Sequence, residues 1–349
     1  MHASFSFPQL TTTILALLAA AVHTTTGHPR SVNPEERHSQ KYPLRGFDVG
    51  PINANGSCRT YYDYLDIFTL GKNLSDIVPD LDFNAIRLST SIQCGTISSP
   101  TEAFKAALDS NVLIAVGLEA SAGDDIFINE LKALKNAMSI FGPDFVNKVT
   151  MINVGSYDLL RDSQYGKGAN AGNGANATVI VNYVEALRNM IDETILASTP
   201  VGHVEEWFIW KLPEANPGEV ISAIDVVGSH FFPSAVDPTN QDPDLVNNST
   251  DFFWDALKQI DEVIPAGKSG FITAMGLPTH NLSNAYSDEA FLPNAKIYWN
   301  DVICPILGAR DFFYSSLVDD KPPLPLDLTS GLVSPSDFKP KFNLTCAWG

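Results

Sequence analysis

Short apolar runs alternate with longer amphipathic stretches after Leu44, and this alternation limits the fold more than any other feature of the chain. The apolar runs do not alternate internally, as in I-D-V-V-G at 224–228, which is typical of strands buried on both faces of a parallel sheet. In the stretches between them, apolar residues recur every three or four positions, as in a helix that covers a sheet. About eight such repeats predict an α/β fold, a (β/α)₈ TIM barrel in a single domain.

The alternation gives specific element boundaries. The predicted strands are 45–50, 85–89, 113–118, 149–155, 203–209, 224–229, 270–276 and 311–315, and the clearest predicted helices are 101–110, 126–140, 179–195, 252–264 and 294–307. A doubly wound open sheet is the alternative, but it would need a glycine-rich phosphate loop after the first strand. The sequence there, G-P-I-N-A-N-G-S-C at 50–58, lacks the G-x-G-x-x-G spacing, so the closed barrel is favoured.

The amino-terminal segment predicts export. Residues 1–27 contain no Asp, Glu, Lys or Arg, and their apolar run at 14–22 is too short to span a bilayer, which needs about 20 residues. We therefore expect a signal peptide at 1–27, a disordered lead or propeptide at 28–43 and the barrel at 44–349, with no membrane anchor. The formal net charge of −18 argues against nucleic acid as a partner.

The cysteines and sequons fit an exported glycoprotein. The four cysteines form no C-x-x-C pair, so we expect no metal and no cofactor, and an even number of scattered cysteines in an exported chain indicates two disulfides. Sequence alone leaves their connectivity open, but the order of the elements favours Cys58–Cys94, which follow neighbouring strands, and Cys304–Cys346. Sequons predict glycosylation at Asn55, Asn73, Asn176, Asn247, Asn248, Asn281 and Asn343.

Several motifs at the predicted strand ends carry a family resemblance. They are G-F-D-V-G at 46–50 with N-G-S-C at 55–58, I-R-L at 86–88 leading to Cys94, V-G-L at 116–118, V-G-H-V-E-E-W at 201–207, and N-A-K-I-Y-W through C-P at 294–305. Together they resemble fungal members of glycoside hydrolase family 17, the secreted β-1,3-glucanases and glucanosyltransferases. The similarity runs from residue 46 to residue 346, and all four cysteines fall where fungal members carry theirs.

The resemblance also shows what this chain lacks. Family members have a general acid/base glutamate after strand four, in V-G-[NS]-E, and a nucleophilic glutamate after strand seven, in E-T-G-W-P. Here the two motifs read V-G-S-Y at 154–157 and A-M-G-L-P at 274–278, so Tyr157 and Ala274 take the two positions. Retaining glycoside hydrolysis needs two carboxylates about 5 Å apart. The resemblance therefore implies no catalytic residues, with Tyr157 and Ala274 facing each other across the barrel mouth.

Three nearby carboxylates are fallback candidates for catalysis. Glu119 follows strand three, Glu205 lies near the end of strand five and is expected to face the cleft, and Asp158 follows Tyr157. Because successive strand side chains alternate, Asp158 is expected to point away from the pocket if the strand continues there. A solvated loop carboxylate is the plainer interpretation of Glu119.

The sugar-binding positions of the family are also altered. Ser89 stands where the family usually has tyrosine, His230 where it has asparagine, and Ser316 where it has glutamate. Trp207 and either Phe231 or Phe232 are candidates for stacking on sugar rings, with packing at the barrel rim as the equal alternative.

These observations favour a secreted, wall-associated, catalytically inactive family member that is a monomer and keeps weak binding to β-1,3-glucan or another wall polysaccharide. The first alternative is an active β-1,3-glucanase or glucanosyltransferase that uses the relocated carboxylates. The second is a secreted binding module for another ligand. Sugar release from laminarin separates the first two hypotheses, and a glucan pull-down separates the third.

Overall fold

The computed structural model describes residues 43–78, 81–231, 245–274, 276–281, 291–319, 328–334 and 337–346. The expected signal peptide, nearly all of the expected lead segment, and Phe232 lie outside this range. Among the described residues, no helix is both long and apolar enough to cross a membrane.

Eight parallel strands close into a barrel, in the order β1-β2-β3-β4-β5-β6-β7-β9. They are β1 (Arg45–Val49), β2 (Ala85–Leu88), β3 (Leu113–Leu118), β4 (Val149–Ser156), β5 (Val201–Glu206), β6 (Val226–Phe231), β7 (Ser269–Ala274) and β9 (Phe312–Tyr314). A short antiparallel pair, β8 (His280–Asn281) with β10 (Leu328–Thr329), lies outside the barrel. The predicted TIM barrel is confirmed.

Helices follow the strands and form the outer layer. They are α1 (Tyr61–Lys72), α2 (Glu102–Ser110), α3 (Asp124–Val146), α4 (Asp158–Asp162), α5 (Gln164–Gly168), α6 (Ala177–Ile191), α7 (Pro217–Ala223), α8 (Leu245–Val263), α9 (Leu292–Tyr298) and α10 (Cys304–Ile306). A π-helical segment, Trp299–Ile303, joins the last two. Short 3₁₀ turns at Leu74–Asp76, Ile209–Lys211 and Pro213–Ala215 complete the connections.

Most boundaries differ from the sequence-based prediction by a few residues, and two differences are instructive. The fifth strand ends at Glu206 rather than at residue 209, because the chain turns at Trp207 and enters the 3₁₀ turn Ile209–Lys211. Helix α1 was not among the predicted helices. Its start is fixed by a capping box, in which the Thr60 hydroxyl accepts from the Asp63 N–H and the Asp63 carboxylate accepts from the Thr60 N–H.

Apolar residues fill two separate layers. A large cluster lies between the strands and the surrounding helices. A small cluster closes the amino-terminal end of the barrel interior, with Ala85, Ala115, Met151, Val204, Val226, Phe271 and Phe313 among its members. Because strand side chains alternate, the residues two positions beyond these on each strand also face inward and line the other end, which is the mouth.

Both disulfides have the favoured connectivity. Cys58 is joined to Cys94 beside the mouth, with Cα atoms 5.4 Å apart, and Cys304 is joined to Cys346, with Cα atoms 5.5 Å apart. The side chains of five sequon asparagines are exposed, namely those of Asn55, Asn73, Asn176, Asn248 and Asn343. The side chains of Asn247 and Asn281 lie outside the described part of the structure.

Candidate functional site

A chain of hydrogen bonds crosses the floor of the barrel mouth. Arg87 of β2 donates from Nη1 to Asp48 Oδ2 of β1 and from Nη2 to Ser156 Oγ of β4, both at 3.1 Å. Ser156 Oγ lies 3.0 Å from His230 Nε2 of β6, and His230 Nδ1 bonds the Thr273 hydroxyl of β7. We call these five residues the mouth network. It ties together strands from opposite sides of the barrel.

The partners of His230 indicate a neutral ring. Ser156 Oγ accepts a hydrogen bond from Arg87, so the Ser156 hydroxyl can donate its own hydrogen to His230 Nε2. His230 Nδ1–H then donates to Thr273. Burial lowers the pKa of His230 well below its usual value, and the positive charges of Arg87 and Arg161 lower it further.

Tyr157, which the sequence motifs predict at the family's acid/base position, covers this network. It has φ of 63° and directly precedes α4, so the strand ends there in a left-handed turn. Its ring stacks on His230 with centroids 4.1 Å apart and planes 3° apart, and Arg161 Cζ lies 5.8 Å from its centroid. Burial and the nearby charge of Glu206 raise the pKa of Tyr157 well above its usual value, so the phenol stays protonated.

Two carboxylates also line the mouth. Glu206 follows the inward-facing Val204 by two positions and is 9% exposed. Burial, together with the adjacent Glu205, raises the pKa of Glu206 well above its usual value. Burial also raises the pKa of Asp48, although its ion pair with Arg87 opposes the shift. The mouth therefore holds protonatable carboxyl groups, at positions other than Tyr157 and Ala274.

A second buried polar group lies behind the barrel wall, between β5 and α4. His203 Nδ1 lies 2.5 Å from the Val154 carbonyl oxygen, and His203 Nε2 lies 2.9 Å from Glu205 Oε1. Glu205 also accepts from the Leu159 N–H at 2.6 Å and from the Leu160 N–H at 3.2 Å, which caps α4. Asp158 Oδ2 lies 4.0 Å from His203 Nδ1. We call Asp158, His203 and Glu205 the wall cluster.

The hydrogen bonds of His203 fit an imidazolium. A carbonyl and an ionised carboxylate can only accept, so both ring nitrogens donate to them. Burial would lower the pKa of His203, but the hydrogen bond and charge of Glu205, with the charge of Asp158, outweigh burial and raise it. Burial raises the pKa of Asp158 to about 7, against the opposing charge of His203, and the Ser121 hydroxyl donates to its Oδ1.

Among the described residues, the wall cluster also brings together side chains of the kinds that bind metal ions. Ligand atoms of Asp158, His203 and Glu205 lie within 4.8 Å of one another, and all three residues are buried. However, both His203 nitrogens already donate to oxygen atoms, so a metal ion would have to displace one of these hydrogen bonds. The imidazolium provides the positive charge that the two carboxylates require.

The structure corrects the predicted placement of Glu205 and of Phe231, and the reason given for that of Asp158. Glu205 does not face the cleft, since it is fully buried against the amino terminus of α4. Asp158 does point away from the mouth, but because it begins a helix and not because a strand continues. Phe231 is 1% exposed and packs on Phe253 of α8 in the helix layer, so it cannot stack on a sugar.

The remaining predicted residues lie around the rim. Ser89 is exposed, and Glu119 is half-buried and accepts only a local bond from the Ser121 N–H at 3.1 Å among the side-chain bonds described. Ser316 is half-buried and donates to the Val318 carbonyl. Trp207 is half-buried just past β5, and Ala274 ends β7 in register with Phe231 of β6 and Tyr314 of β9. Of the predicted residues, the mouth thus brings together Tyr157 and His230.

Sequence reasoning missed Glu206, Asp48, Arg87 and Thr273 as residues of the mouth. Two strand glycines do lie at inward positions where neighbouring interior side chains leave no room. A Cβ at Gly202 would lie 2.6 Å from Asn153 Oδ1, and one at Gly228 would lie 2.5 Å from the Phe271 ring. Counting by two from these glycines selects Glu206 and His230.

A closed barrel with polar side chains at the carboxyl ends of its strands has the architecture in which TIM-barrel enzymes carry their active sites. The fold is that of a family 17 β-1,3-glucanosyltransferase from Rhizomucor miehei, with a TM-score of 0.64 at 20% identity, covering 87% of this chain and 98% of that one. The fold also matches that of an endo-laminarinase from Formosa Hel1_33_131 with a TM-score of 0.64 at 13% identity. This match covers 87% of this chain and 86% of that one. No family model matches the chain.

Sequence relatives point to the same family. The chain is 33% identical over 303 residues to the protein named probable glucan endo-1,3-beta-glucosidase eglC of Aspergillus oryzae, covering 87% of this chain and 63% of that one. For the protein of the same name from Aspergillus fumigatus, the identity is 34% over 307 residues, covering 87% and 65%. The chain thus spans less than two thirds of these relatives. The fold and these relatives support the resemblance to glycoside hydrolase family 17 that the sequence motifs carry.

Proposed function

We propose that this chain is a secreted, catalytically inactive family 17 barrel that binds β-1,3-glucan weakly. The observation that carries the proposal is Tyr157 at the predicted acid/base position, where its ring stacks on His230 and lies 5.8 Å from Arg161 Cζ. A phenol with a raised pKa is a poor proton donor to a leaving alkoxide, and Ala274 cannot form a glycosyl-enzyme bond. General acid catalysis alone is worth about 10²–10⁴-fold.

Glucan binding is supported by the family rather than by a bound ligand. A crystal structure of the Rhizomucor miehei β-1,3-glucanosyltransferase is of an active-site mutant in complex with laminaritriose, and its fold matches this chain with a TM-score of 0.62. The loss of the sugar-binding residues predicted from the sequence argues that any binding here is weak. Export is supported by the two disulfides, which persist in oxidising compartments.

The enzymatic alternative depends on Glu206. Glu205 and Asp158 lie behind the wall, so among the fallback candidates only Glu119 remains near the rim. Glu206 faces the mouth with a raised pKa, which is the property that a general acid needs at neutral pH. It would still require a second carboxylate as nucleophile, and Asp48 is paired with Arg87.

Laminarin hydrolysis tests the proposal. Purified wild type, Glu206→Gln and Glu119→Gln are compared for reducing-sugar release, and laminarihexaose binding is measured by calorimetry on the same preparations. We expect no turnover by any of them, with weak binding by wild type. Turnover by wild type that Glu206→Gln abolishes would overturn the pseudoenzyme proposal and identify the acid. Absence of glucan binding together with absence of turnover would favour a module for another ligand.

Gain-of-function variants test the same proposal from the other side. Ala274→Glu alone should give no activity, because a retaining mechanism needs both residues and groups that act as a unit lose nearly everything when either is absent. Tyr157→Glu with Ala274→Glu is expected to give at most a trace. Activity from Ala274→Glu alone would show that a working acid already exists in the mouth.

A further inference from the structure

Four aromatic rings form a continuous strip on the outer rim of the barrel. Tyr165 of α5 contacts Phe208 with ring centroids 5.9 Å apart, Phe208 contacts Trp207 at 5.9 Å, and Trp207 contacts Phe252 of α8 at 5.6 Å. The rings come from three different connections, after β4, after β5 and after β6. We call Tyr165, Phe208, Trp207 and Phe252 the rim strip.

The rim strip is unusually exposed for aromatic residues. Tyr165 is 61% exposed and Phe252 is 39% exposed, while Trp207 and Phe208 are half-buried. Leaving large rings in water is unfavourable, since each buries roughly 150–250 Å² when covered. A contiguous exposed apolar patch marks an interaction site more often than scattered apolar residues do. The mouth network, by contrast, offers little apolar surface.

The chemistry of the strip fits a neutral β-linked glucan. A β-glucose ring carries its hydroxyls around its edge and presents C–H faces above and below, which pack on aromatic faces. Polar groups are available beside the strip, because Lys211 Nζ donates to Gln259 Oε1 at 2.8 Å on the surface and the Lys211 N–H donates to the Phe208 carbonyl at 3.1 Å. The formal net charge of −18 disfavours polyanionic ligands but not neutral polysaccharides.

We propose that the rim strip is a glucan-binding surface outside the mouth, on which successive glucose residues of a β-1,3-glucan stack. This inference rests on the proposed glucan binding and gives it a location. Binding then does not require the mouth, which is covered by Tyr157 and cross-linked below it. The strip also accounts for weak binding, because an open surface covers only one side of the ligand.

A sequon lies next to the strip and affects the experiment. Asn248 is exposed and precedes Phe252 by four residues on α8, so the two lie on the same face of the helix. An N-glycan on Asn248 would therefore compete with an external glucan for Phe252. Binding is measured before and after enzymatic removal of N-glycans for this reason.

Laminarihexaose binding by calorimetry tests the rim strip. Tyr165→Ala and Phe252→Ala should each weaken binding at least about fivefold, which is typical of truncating an aromatic anchor. Tyr165→Phe should bind like wild type, because the aromatic face is kept. Tyr62→Ala is the matched control, since Tyr62 is 72% exposed on α1, away from the strip. Circular dichroism confirms that each variant is folded.

The outcomes separate the two proposals. Wild-type affinity in both alanine variants would overturn the rim strip and leave glucan binding by the protein intact. No binding by wild type, with or without N-glycans, would overturn the proposed function and the strip together. Binding that appears only after glycan removal and is lost in Phe252→Ala would support the strip, with the Asn248 glycan as its resident occupant.

Discussion

The mouth network and the wall cluster each contain one buried histidine, and their partners give the two rings opposite charge states. His230 is bonded by hydroxyl groups, which can donate or accept, and it is surrounded by arginines. His203 is bonded by a carbonyl and a carboxylate, which can only accept. A ring among hydroxyls and cations remains neutral, whereas a ring among acceptors must carry a second proton.

This difference determines which of the two buried histidines is charged. The wall cluster holds an imidazolium with two carboxylates, where no substrate can reach them, and through Glu205 it fixes the start of α4 and hence Tyr157. The mouth holds a neutral histidine and a neutral phenol stacked together. Removing a partner should therefore cost more stability in the wall cluster than in the mouth network.

The largest expected effect is that of Glu205→Ala. The change removes the acceptor for His203 and for two backbone N–H groups of α4, and it leaves a buried positive charge with a weaker partner. Breaking a buried ion pair from one side costs about 3–5 kcal/mol. Urea denaturation measures the free energy of unfolding. Glu119→Ala is the control and should stay within about 0.5 kcal/mol of wild type. A loss below about 1 kcal/mol for Glu205→Ala would contradict the charged wall cluster.

Asp158→Asn should change how stability depends on pH. The folded-state pKa of Asp158 is about 7, above the value of about 3.9 for an unfolded aspartate, so the folded protein holds this proton more tightly. The resulting stabilisation is fully present below about pH 4 and is lost as pH rises through about 7, with at most about 1.4 kcal/mol per pH unit. The raised pKa of His203 also makes stability fall as pH rises above about 6.5. The lowered pKa of His230 has the opposite effect, so that stability rises with pH.

Urea midpoints at several pH values between about 4 and 7 measure this prediction. Asp158→Asn should show a flatter decline than wild type, because an amide does not titrate. Asp125→Asn serves as the control, because Asp125 is exposed on α3, and it should leave the slope of wild type unchanged. Equal slopes in wild type and Asp158→Asn would show that Asp158 titrates normally.

The sequence predicted the barrel well because its strands are buried on both faces. Such strands appear as unbroken apolar runs, so their existence is easy to detect, but the same burial hides which face points inward. Glu205 was therefore assigned to the cleft, whereas its neighbour Glu206 lies there. Glycines do not settle it, because Gly202 faces the interior whereas a Cβ at Gly270 would lie 2.4 Å from Ile264 outside it.

Helix α1 and the wall cluster show two further limits. The α1 sequence is rich in aromatic residues and has little amphipathic character, so periodicity did not reveal it, although T-x-x-D at 60–63 is a capping signal. The left-handed turn at Tyr157 was also unforeseen, because a non-glycine residue with φ of 63° has no sequence signature. That turn starts α4 at Asp158 and buries this carboxylate behind the wall.

Nitrogen NMR measures the protonation states of the His203 and His230 rings directly. At about pH 6.5, the usual histidine pKa, His203 should be a doubly protonated imidazolium and His230 a neutral ring protonated on Nδ1. His203→Gln and His230→Asn assign the signals among the seven histidines of the chain. Equal protonation of both rings would remove the distinction between the two sites.

The smallest expected effect is that of Thr273→Val in the mouth network. Valine keeps the shape of threonine but removes the hydroxyl that bonds His230 Nδ1, so a buried N–H loses its described acceptor on β7. An unsatisfied buried donor costs about 1–3 kcal/mol, which is less than breaking the charged wall cluster. Thr150→Val is the matched control, because Thr150 is a half-buried barrel threonine whose hydroxyl donates to the Ile114 carbonyl at 3.2 Å, and it should cost less than about 1 kcal/mol. Urea denaturation compares the two variants with Glu205→Ala. If Thr273→Val destabilised the protein as much as Glu205→Ala, the neutral state inferred for His230 would be wrong, and its ring would have to be protonated.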